Sequence, residues 1–92
     1  MDYRYQETVD WGIIKREWVG EEAGYSVILE RHEEGRFTVE IKERGGWEYY
    51  SYWKASGQVT YATLEEAQQA AEEKIQQHKA ARENEGLRGG SL

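Results

Sequence analysis

Five of eight consecutive residues are aromatic in the stretch Trp47-Glu48-Tyr49-Tyr50-Ser51-Tyr52-Trp53-Lys54. Side chains alternate between the two faces of a β-strand. A strand here therefore places Trp47, Tyr49, Ser51 and Trp53 on one face and Glu48, Tyr50, Tyr52 and Lys54 on the other. Aromatic rings favour strands, and no proline interrupts the run. We predict that the tryptophan face is buried, because it carries the most apolar area.

Two alternating segments precede the aromatic stretch, at residues 25–30 and 36–42. The second is the clearest, because Phe37, Val39 and Ile41 alternate with polar residues. Turn-type residues with glycine separate the segments at 20–24, 33–35 and 43–46. Such short connections join strands that are neighbours in space, so the sequence predicts an antiparallel meander.

Residues 11–19 contain β-branched and aromatic residues but no cleanly apolar face, which is typical of an edge strand. Residues 1–10 alternate only loosely, and we interpret them as an irregular N-terminal arm. Residues 83–92 have no period and are expected to form a flexible tail. The remaining segment, 11–82, is then a single domain with four strands.

The period changes after the aromatic stretch, where Thr63-Leu64-Glu65-Glu66 matches a capping box and predicts a helix start. The apolar face of this helix follows at spacings of three and four: Leu64, Ala67, Ala71, Ile75 and His78. Small alanines let a helix axis approach a sheet closely, where large rings fill the gap. The predicted fold class is α+β, a four-stranded antiparallel β-meander with one C-terminal α-helix packed on one face.

Composition limits the function classes. The chain has 92 residues, a net charge of −6 and no cysteine, which excludes disulfides, thiolate metal sites and cysteine nucleophiles. The N-terminus lacks a signal-peptide pattern and no window is apolar enough for a membrane span, so a cytoplasmic location is the default expectation. Surplus negative charge favours association with a basic protein over nucleic acid or an anionic membrane.

No catalytic, metal-binding or cofactor-binding constellation is predicted. His32-Glu33-Glu34 has no second histidine at metal-ligand spacing, and the glycines form no nucleotide-binding motif. No pair of carboxylates stands in an apolar context that would raise a pKa, so an enzyme is not expected.

The stretch from Tyr61-Ala62-Thr63-Leu64-Glu65-Glu66-Ala67 to Ala70-Ala71 resembles the end of several three-strand-plus-helix modules, among them the arm-binding domain of phage integrases and the plant AP2 domain. In those families the open sheet face enters the DNA major groove. The resemblance implies a DNA-facing surface here made of Arg36, Lys42, Lys54, Tyr50 and Tyr52. The acids Glu30, Glu40 and Glu48 on the same face favour cross-strand ion pairs on a solvated surface instead.

These observations favour a small acidic non-enzymatic protein-binding module, such as a phage-type inhibitor or regulator, that docks on a basic, nucleic-acid-binding protein surface. The alternative is a nucleic-acid-binding module that stacks bases on Tyr50 and Tyr52. In a meander, the 33–35 turn and the helix start lie at the same end of the sheet. We therefore predict one acidic pole, made of Glu33, Glu34, Glu65 and Glu66, as the partner-binding surface. The helix dipole alone would also favour negative charge at Glu65 and Glu66.

Overall fold

The computed structural model describes residues 1–51 and 59–90. It shows one antiparallel sheet of five strands followed by a C-terminal helix, which confirms the α+β class and the meander, since the strand order is β1-β2-β3-β4-β5. The elements are β1 (Tyr3–Asp10), β2 (Ile13–Glu22), β3 (Tyr25–Arg31), β4 (Phe37–Glu43), β5 (Glu48–Ser51) and α1 (Leu64–Gly90).

The sheet has five strands rather than four, because the segment expected to be an irregular arm forms β1. All eight of its residues pair with β2 in one continuous register, from Tyr3 opposite Gly20 to Asp10 opposite Ile13. The loose alternation of Tyr3, Tyr5 and Val9 is therefore a true strand period. It is weak because β1 lies at the sheet edge and most of its residues are exposed on both faces.

The bounds of β2 also differ from the predicted segment 11–19. The turn before it is Trp11-Gly12, and the turn after it is only Ala23-Gly24, not the five residues 20–24. Gly20 lies inside the strand and is buried, because the side chain of Met1 packs on it: a Cβ at Gly20 would stand 2.9 Å from Met1 Sδ. This glycine serves a close contact and does not form a turn.

The centre of the core lies between β3 and β4, not at the aromatic strand. Leu29 and Val39 face each other across these two strands, as do Val27 and Ile41, and all four side chains are buried. β5 pairs with β4 at the other sheet edge, so Trp47 and Tyr49 are only partly buried. The predicted face is nevertheless correct for Trp47, Tyr49 and Ser51, which pack toward the helix side, while Glu48 and Tyr50 are exposed. Tyr52, Trp53 and Lys54 lie outside the described residues.

The helix packs its predicted face on β3 and β4, with Ala67, Ala71 and Ile75 fully buried. Its start is the predicted cap: Thr63 Oγ1 accepts the Glu66 amide at 3.1 Å, and Glu66 Oε2 accepts the Ala62 amide at 3.2 Å. The helix does not end near Arg82 but continues to Gly90. Its 27 residues span about 40 Å, whereas a seven-residue strand spans about 23 Å, so the last turns extend past the sheet and need no apolar period.

Burial is the main reason why two tyrosines keep their protons more tightly in the fold than in the unfolded chain. Burial, followed by the charges of Glu72 and Glu22, raises the pKa of Tyr3 to about 12, and its buried hydroxyl has no hydrogen-bond partner among the described residues. Burial and a hydrogen bond with Tyr49 raise the pKa of Tyr61 to about 12. An unfolded tyrosine ionises near pH 10, so the folded state binds more protons between about pH 10 and 12.

We therefore expect the free energy of unfolding to fall as the pH rises from about 10 to 12. Below about pH 10 these tyrosines are protonated in both states, so they add no pH dependence there. The Tyr3→Phe variant should show a shallower decline in urea unfolding followed across this interval. Tyr50→Phe is the control, since Tyr50 is exposed and its raised pKa comes chiefly from a hydrogen bond with Glu48. Equal slopes for the parent and Tyr3→Phe would contradict the burial of the Tyr3 hydroxyl.

Candidate partner-binding site

The β1–β2 hairpin projects beyond the rest of the sheet. β3 pairs with β2 only from Arg16 to Glu22, so the first three residues of β2 pair with β1 alone. We call residues 8–15 the hairpin tip. A two-stranded ribbon without a third strand is marginally stable in water, and this one presents both faces to its surroundings.

Exposed apolar side chains are concentrated at the hairpin tip. Trp11 is 95% exposed, Val9 73%, Ile13 60% and Ile14 51%. Val9 and Ile14 are cross-strand partners, so they form one apolar pair on the face that continues to Tyr5 and Trp18. Single exposed apolar residues are ordinary on a protein surface, whereas a contiguous group marks an interaction surface.

The backbone of the tip turn runs against local preference. Trp11 has φ +52° and Gly12 has φ +75°, the two positive angles of a type I′ hairpin turn. The first position of such a turn normally holds asparagine, aspartate or glycine, because a bulky residue is strained there. Ala23 has the same φ of +52° in the turn between β2 and β3, so the strain by itself does not mark a site; what distinguishes the tip turn is a 95% exposed indole at its outermost point.

A cleft of about 490 Å³ connects the hairpin tip to the turn between β3 and β4. We call it the tip cleft. It is lined by Ile13, Ile14, Lys15, Arg16, Glu30, Arg31, His32, Glu33 and Glu34. Neighbours already neutralise part of its charge: Lys15 Nζ lies 3.8 Å from Asp10, and Arg16 Nε lies 3.8 Å from Glu7. His32 Nδ1 lies 3.4 Å from Glu30. Glu33, Glu34 and Arg31 take part in no ion pair among the described residues, which leaves a surplus of acid.

The helix start lies at the same end of the sheet as the tip cleft. Phe37 and Tyr61 exchange both backbone hydrogen bonds, at 2.8 and 3.0 Å, and Arg36 donates to the hydroxyl and carbonyl oxygens of Thr60. Glu65 and Glu66 are exposed in the first helical turn, where the helix dipole stabilises them. Glu66 also has a capping role, so the acidic pole formed with Glu33 and Glu34 remains a prediction.

The open face of the sheet, which the helix does not cover, has acidic residues beside Tyr50. Tyr50 is exposed, but its hydroxyl donates to Glu48 at 2.9 Å, and in the sheet it stands opposite Glu40. Lys42 Nζ lies 3.4 Å from Glu40, an ion pair along one strand rather than across two strands. Tyr52 and Lys54, the other predicted members of this face, lie outside the described residues. Arg36 points to Thr60 in the turn.

A partly buried polar cluster joins the helix to the opposite end of the sheet. The Tyr25 hydroxyl is hydrogen-bonded to His78 Nδ1 at 2.6 Å, and His78 Nε2 lies 3.7 Å from Glu43, which also pairs with Arg82. The His78 ring stacks on Trp47 with centroids 4.3 Å apart. Tyr25 is only 3% exposed, so its hydroxyl is closed to a substrate and serves as a link between elements. We call Tyr25, Glu43, Trp47, His78 and Arg82 the His78 cluster.

Sequence reasoning missed the hairpin tip and the His78 cluster for different reasons. The tip had a signal, because Gly12 stands between two alternating segments and fits a two-residue turn. The cluster had none, because Tyr25 and His78 are 53 residues apart and only the fold brings them together.

Among the described residues, no group of histidine, aspartate and glutamate is placed to hold a metal ion, and no helix is long and apolar enough to cross a membrane. Comparison of the chain with protein-family models, with curated proteins and with solved structures finds no match.

Proposed function

We propose that this chain is a non-enzymatic protein-binding module, of the kind that inhibits or regulates its partner, and that the hairpin tip is its anchor. The observation that carries the proposal is Trp11, a 95% exposed indole held at a strained turn. Tryptophan is enriched among the residues that dominate binding energy at protein interfaces. Val9, Ile13 and Ile14 supply further apolar area around it.

The chemistry of the partner follows from charge. The chain carries −6 overall, and the tip cleft holds two glutamates without ion pairs against one arginine. A partner with an apolar pocket bordered by lysine or arginine would complement both features. The hairpin tip would supply the buried centre of the interface, and Glu33 and Glu34 its polar rim.

The test begins with affinity capture from a lysate of the source organism, followed by identification and purification of the captured protein. Trp11→Asn removes the indole while suiting the positive φ, so it should fold at least as well as the parent. We expect it to weaken binding to the purified partner by about 2 kcal/mol or more, a loss of roughly thirtyfold in affinity.

The matched control for the indole is Val59→Asn, which removes another exposed apolar side chain away from the tip. It should bind as the parent does. A partner whose affinity for Trp11→Asn equals its affinity for the parent would exclude the hairpin tip as the anchor.

The contribution of charge to binding is tested by measuring association rates with the purified partner at several salt concentrations. Reversing Glu33 and Glu34 to lysine should slow association and flatten its salt dependence while leaving Tm nearly unchanged, since rim charges act mainly on the rate of encounter. The double reversal of Glu21 and Glu22, beside the turn at the other end of the sheet, is the control for net charge. If the two double variants slow association equally, the slower rate is due to total charge and not to the tip cleft.

The alternative, nucleic-acid binding through Tyr50 and Tyr52, is tested with single- and double-stranded DNA and RNA at low salt. We expect no binding tighter than the generic ~10⁻⁴–10⁻⁶ M range. Tyr50 is hydrogen-bonded to Glu48 and stands opposite Glu40, and these acids would repel the phosphates of a nucleic acid. Submicromolar binding that disappears in Tyr50→Ala/Tyr52→Ala would replace the protein-partner proposal.

A further inference from the structure

The outer edge of β1 presents backbone N–H and C=O groups that could pair with another strand. β1 is the first strand of the sheet, and among the described residues it pairs with β2 only. Its eight residues form an unbroken ladder with no bulge, and the chain contains no proline that would block the edge. The helix contacts β3 and β4 and does not cover β1. An unprotected edge of this length is rare in proteins that stay monomeric.

The sequence of β1 is complementary to itself when two copies run antiparallel. A two-fold axis perpendicular to the sheet keeps each face on its own side, so residues of the same face must stand opposite each other. With the axis at Glu7, Arg4 stands opposite Asp10 of the second copy, and this pair occurs twice. Tyr5 stands opposite Val9, also twice, and both are exposed apolar side chains in the single chain.

The two Glu7 residues on the axis are the unfavourable element of this register. Each is already engaged within its own copy, because the Tyr5 hydroxyl donates to Glu7 at 2.7 Å and Arg16 Nε lies 3.8 Å away. The neighbouring registers are worse. Moving the axis to Gln6 places Asp2 opposite Asp10 and Tyr5 opposite Glu7, whereas moving it to Thr8 shortens the overlap and removes both Arg4 pairs.

We infer that two copies of this chain associate through their β1 edges into a continuous ten-stranded antiparallel sheet, in the register that pairs Arg4 with Asp10. Backbone hydrogen bonds would supply most of the affinity, and the side-chain pairs would fix the register. Because the two β1 strands run in opposite directions, the two hairpin tips would lie at opposite ends of the joined sheet. The inference does not depend on the proposed function, since it rests on the edge of β1 and not on Trp11, although residues 8–10 belong both to this edge and to the hairpin tip.

Analytical ultracentrifugation over a concentration series tests the association directly. The parent should sediment as a monomer–dimer equilibrium. Arg4→Glu and Asp10→Arg should each raise the dimer Kd by roughly tenfold or more, because two favourable pairs become like-charge pairs. The double variant Arg4→Glu/Asp10→Arg restores opposite charges across the axis and should recover most of the parent affinity. Arg44→Glu, the same charge change in the exposed turn after β4, should leave the Kd unchanged.

Amide hydrogen exchange provides a second measurement that does not rely on a substitution. Raising the protein concentration should slow exchange of alternate amides in β1, the ones that point away from β2, without affecting those in β4. A parent that is monomeric at every concentration would overturn the inference. So would a dimer whose Kd responds to neither single variant, or one that the double variant fails to rescue. Circular dichroism of each variant establishes that the overall fold is retained before the comparison is made.

Discussion

Replacing Leu29 with alanine is expected to lower the free energy of unfolding by about 2–5 kcal/mol, because its fully buried side chain would leave a cavity. Leu29 is completely buried in the central strand of the sheet, between Trp18 of β2 and Val39 of β4. A small domain has only about 5–15 kcal/mol of net stability, so this variant should be marginally folded or unfolded. Urea unfolding followed by tryptophan fluorescence measures the difference.

The control is the adjacent residue Ile28, which points to the open face and is only half-buried. Ile28→Ala removes almost the same volume but should be clearly less destabilising, because less of the deleted surface was shielded from water. Trp47→Ala, at the sheet edge, should also be less severe than its size suggests, since Trp47 remains partly exposed. Equal losses for Leu29→Ala and Ile28→Ala would contradict the assignment of the helix-covered face.

The elements with the cleanest periods are the ones that the sequence predicts well. Phe37, Val39 and Ile41 alternate strictly, and the helix face from Ala67 to Ile75 follows a period of three and four, because each packs on a single apolar layer. The aromatic content correctly predicts a strand over residues 48–51, and the predicted meander places it last, but neither predicts that Trp47 and Tyr49 stay only partly buried. Apolar richness does not report strand order, and a meander puts its last strand at an edge.

The N-terminal half was harder to predict because its strands are exposed. β1 and the first part of β2 have no third neighbour and no covering helix, so nothing enforces a polar and an apolar face. Trp11 then resembles a strand residue, although its φ of +52° places it in a turn. Gly20 resembles a turn residue, although it lies in a strand, where the side chain of Met1 leaves no room for a Cβ. Both errors arise from tertiary contacts or strain that local propensity does not contain.

The candidate site was only partly predictable. The sequence predicts Glu33 and Glu34 as partner-binding residues because a turn rich in acid is visible in it, and in the structure both line the tip cleft. The tip cleft was not, because it depends on how far β2 extends beyond β3. The register of β2 with β3 is fixed by pairing over the whole strand, so it cannot be predicted from any single residue.

Replacing His78 with alanine is expected to lower the free energy of unfolding by about 1–4 kcal/mol. The Tyr25 hydroxyl is buried and would lose its partner, which costs about 1–3 kcal/mol, and the stacking on Trp47 would lose roughly 0.5–1.5 kcal/mol more. The better helix propensity of alanine returns only a few tenths of a kcal/mol up to about 0.7. His78→Phe is the control, because it keeps a ring against Trp47 but has no ring nitrogen to hydrogen-bond the Tyr25 hydroxyl or to lie near Glu43.

A double-mutant cycle with Tyr25→Phe separates the hydrogen bond from the packing. If the 2.6 Å contact stabilises the fold, His78→Ala should be less costly in the Tyr25→Phe background, with a coupling of about 0.5–1.5 kcal/mol. The coupling should persist at high salt, since Tyr25 is buried, whereas any part due to the exposed guanidinium of Arg82 on Glu43 should be screened. Additive losses would mean that His78 acts through its stack on Trp47 alone, and that the helix is held to this end of the sheet by ring packing and not by the polar cluster.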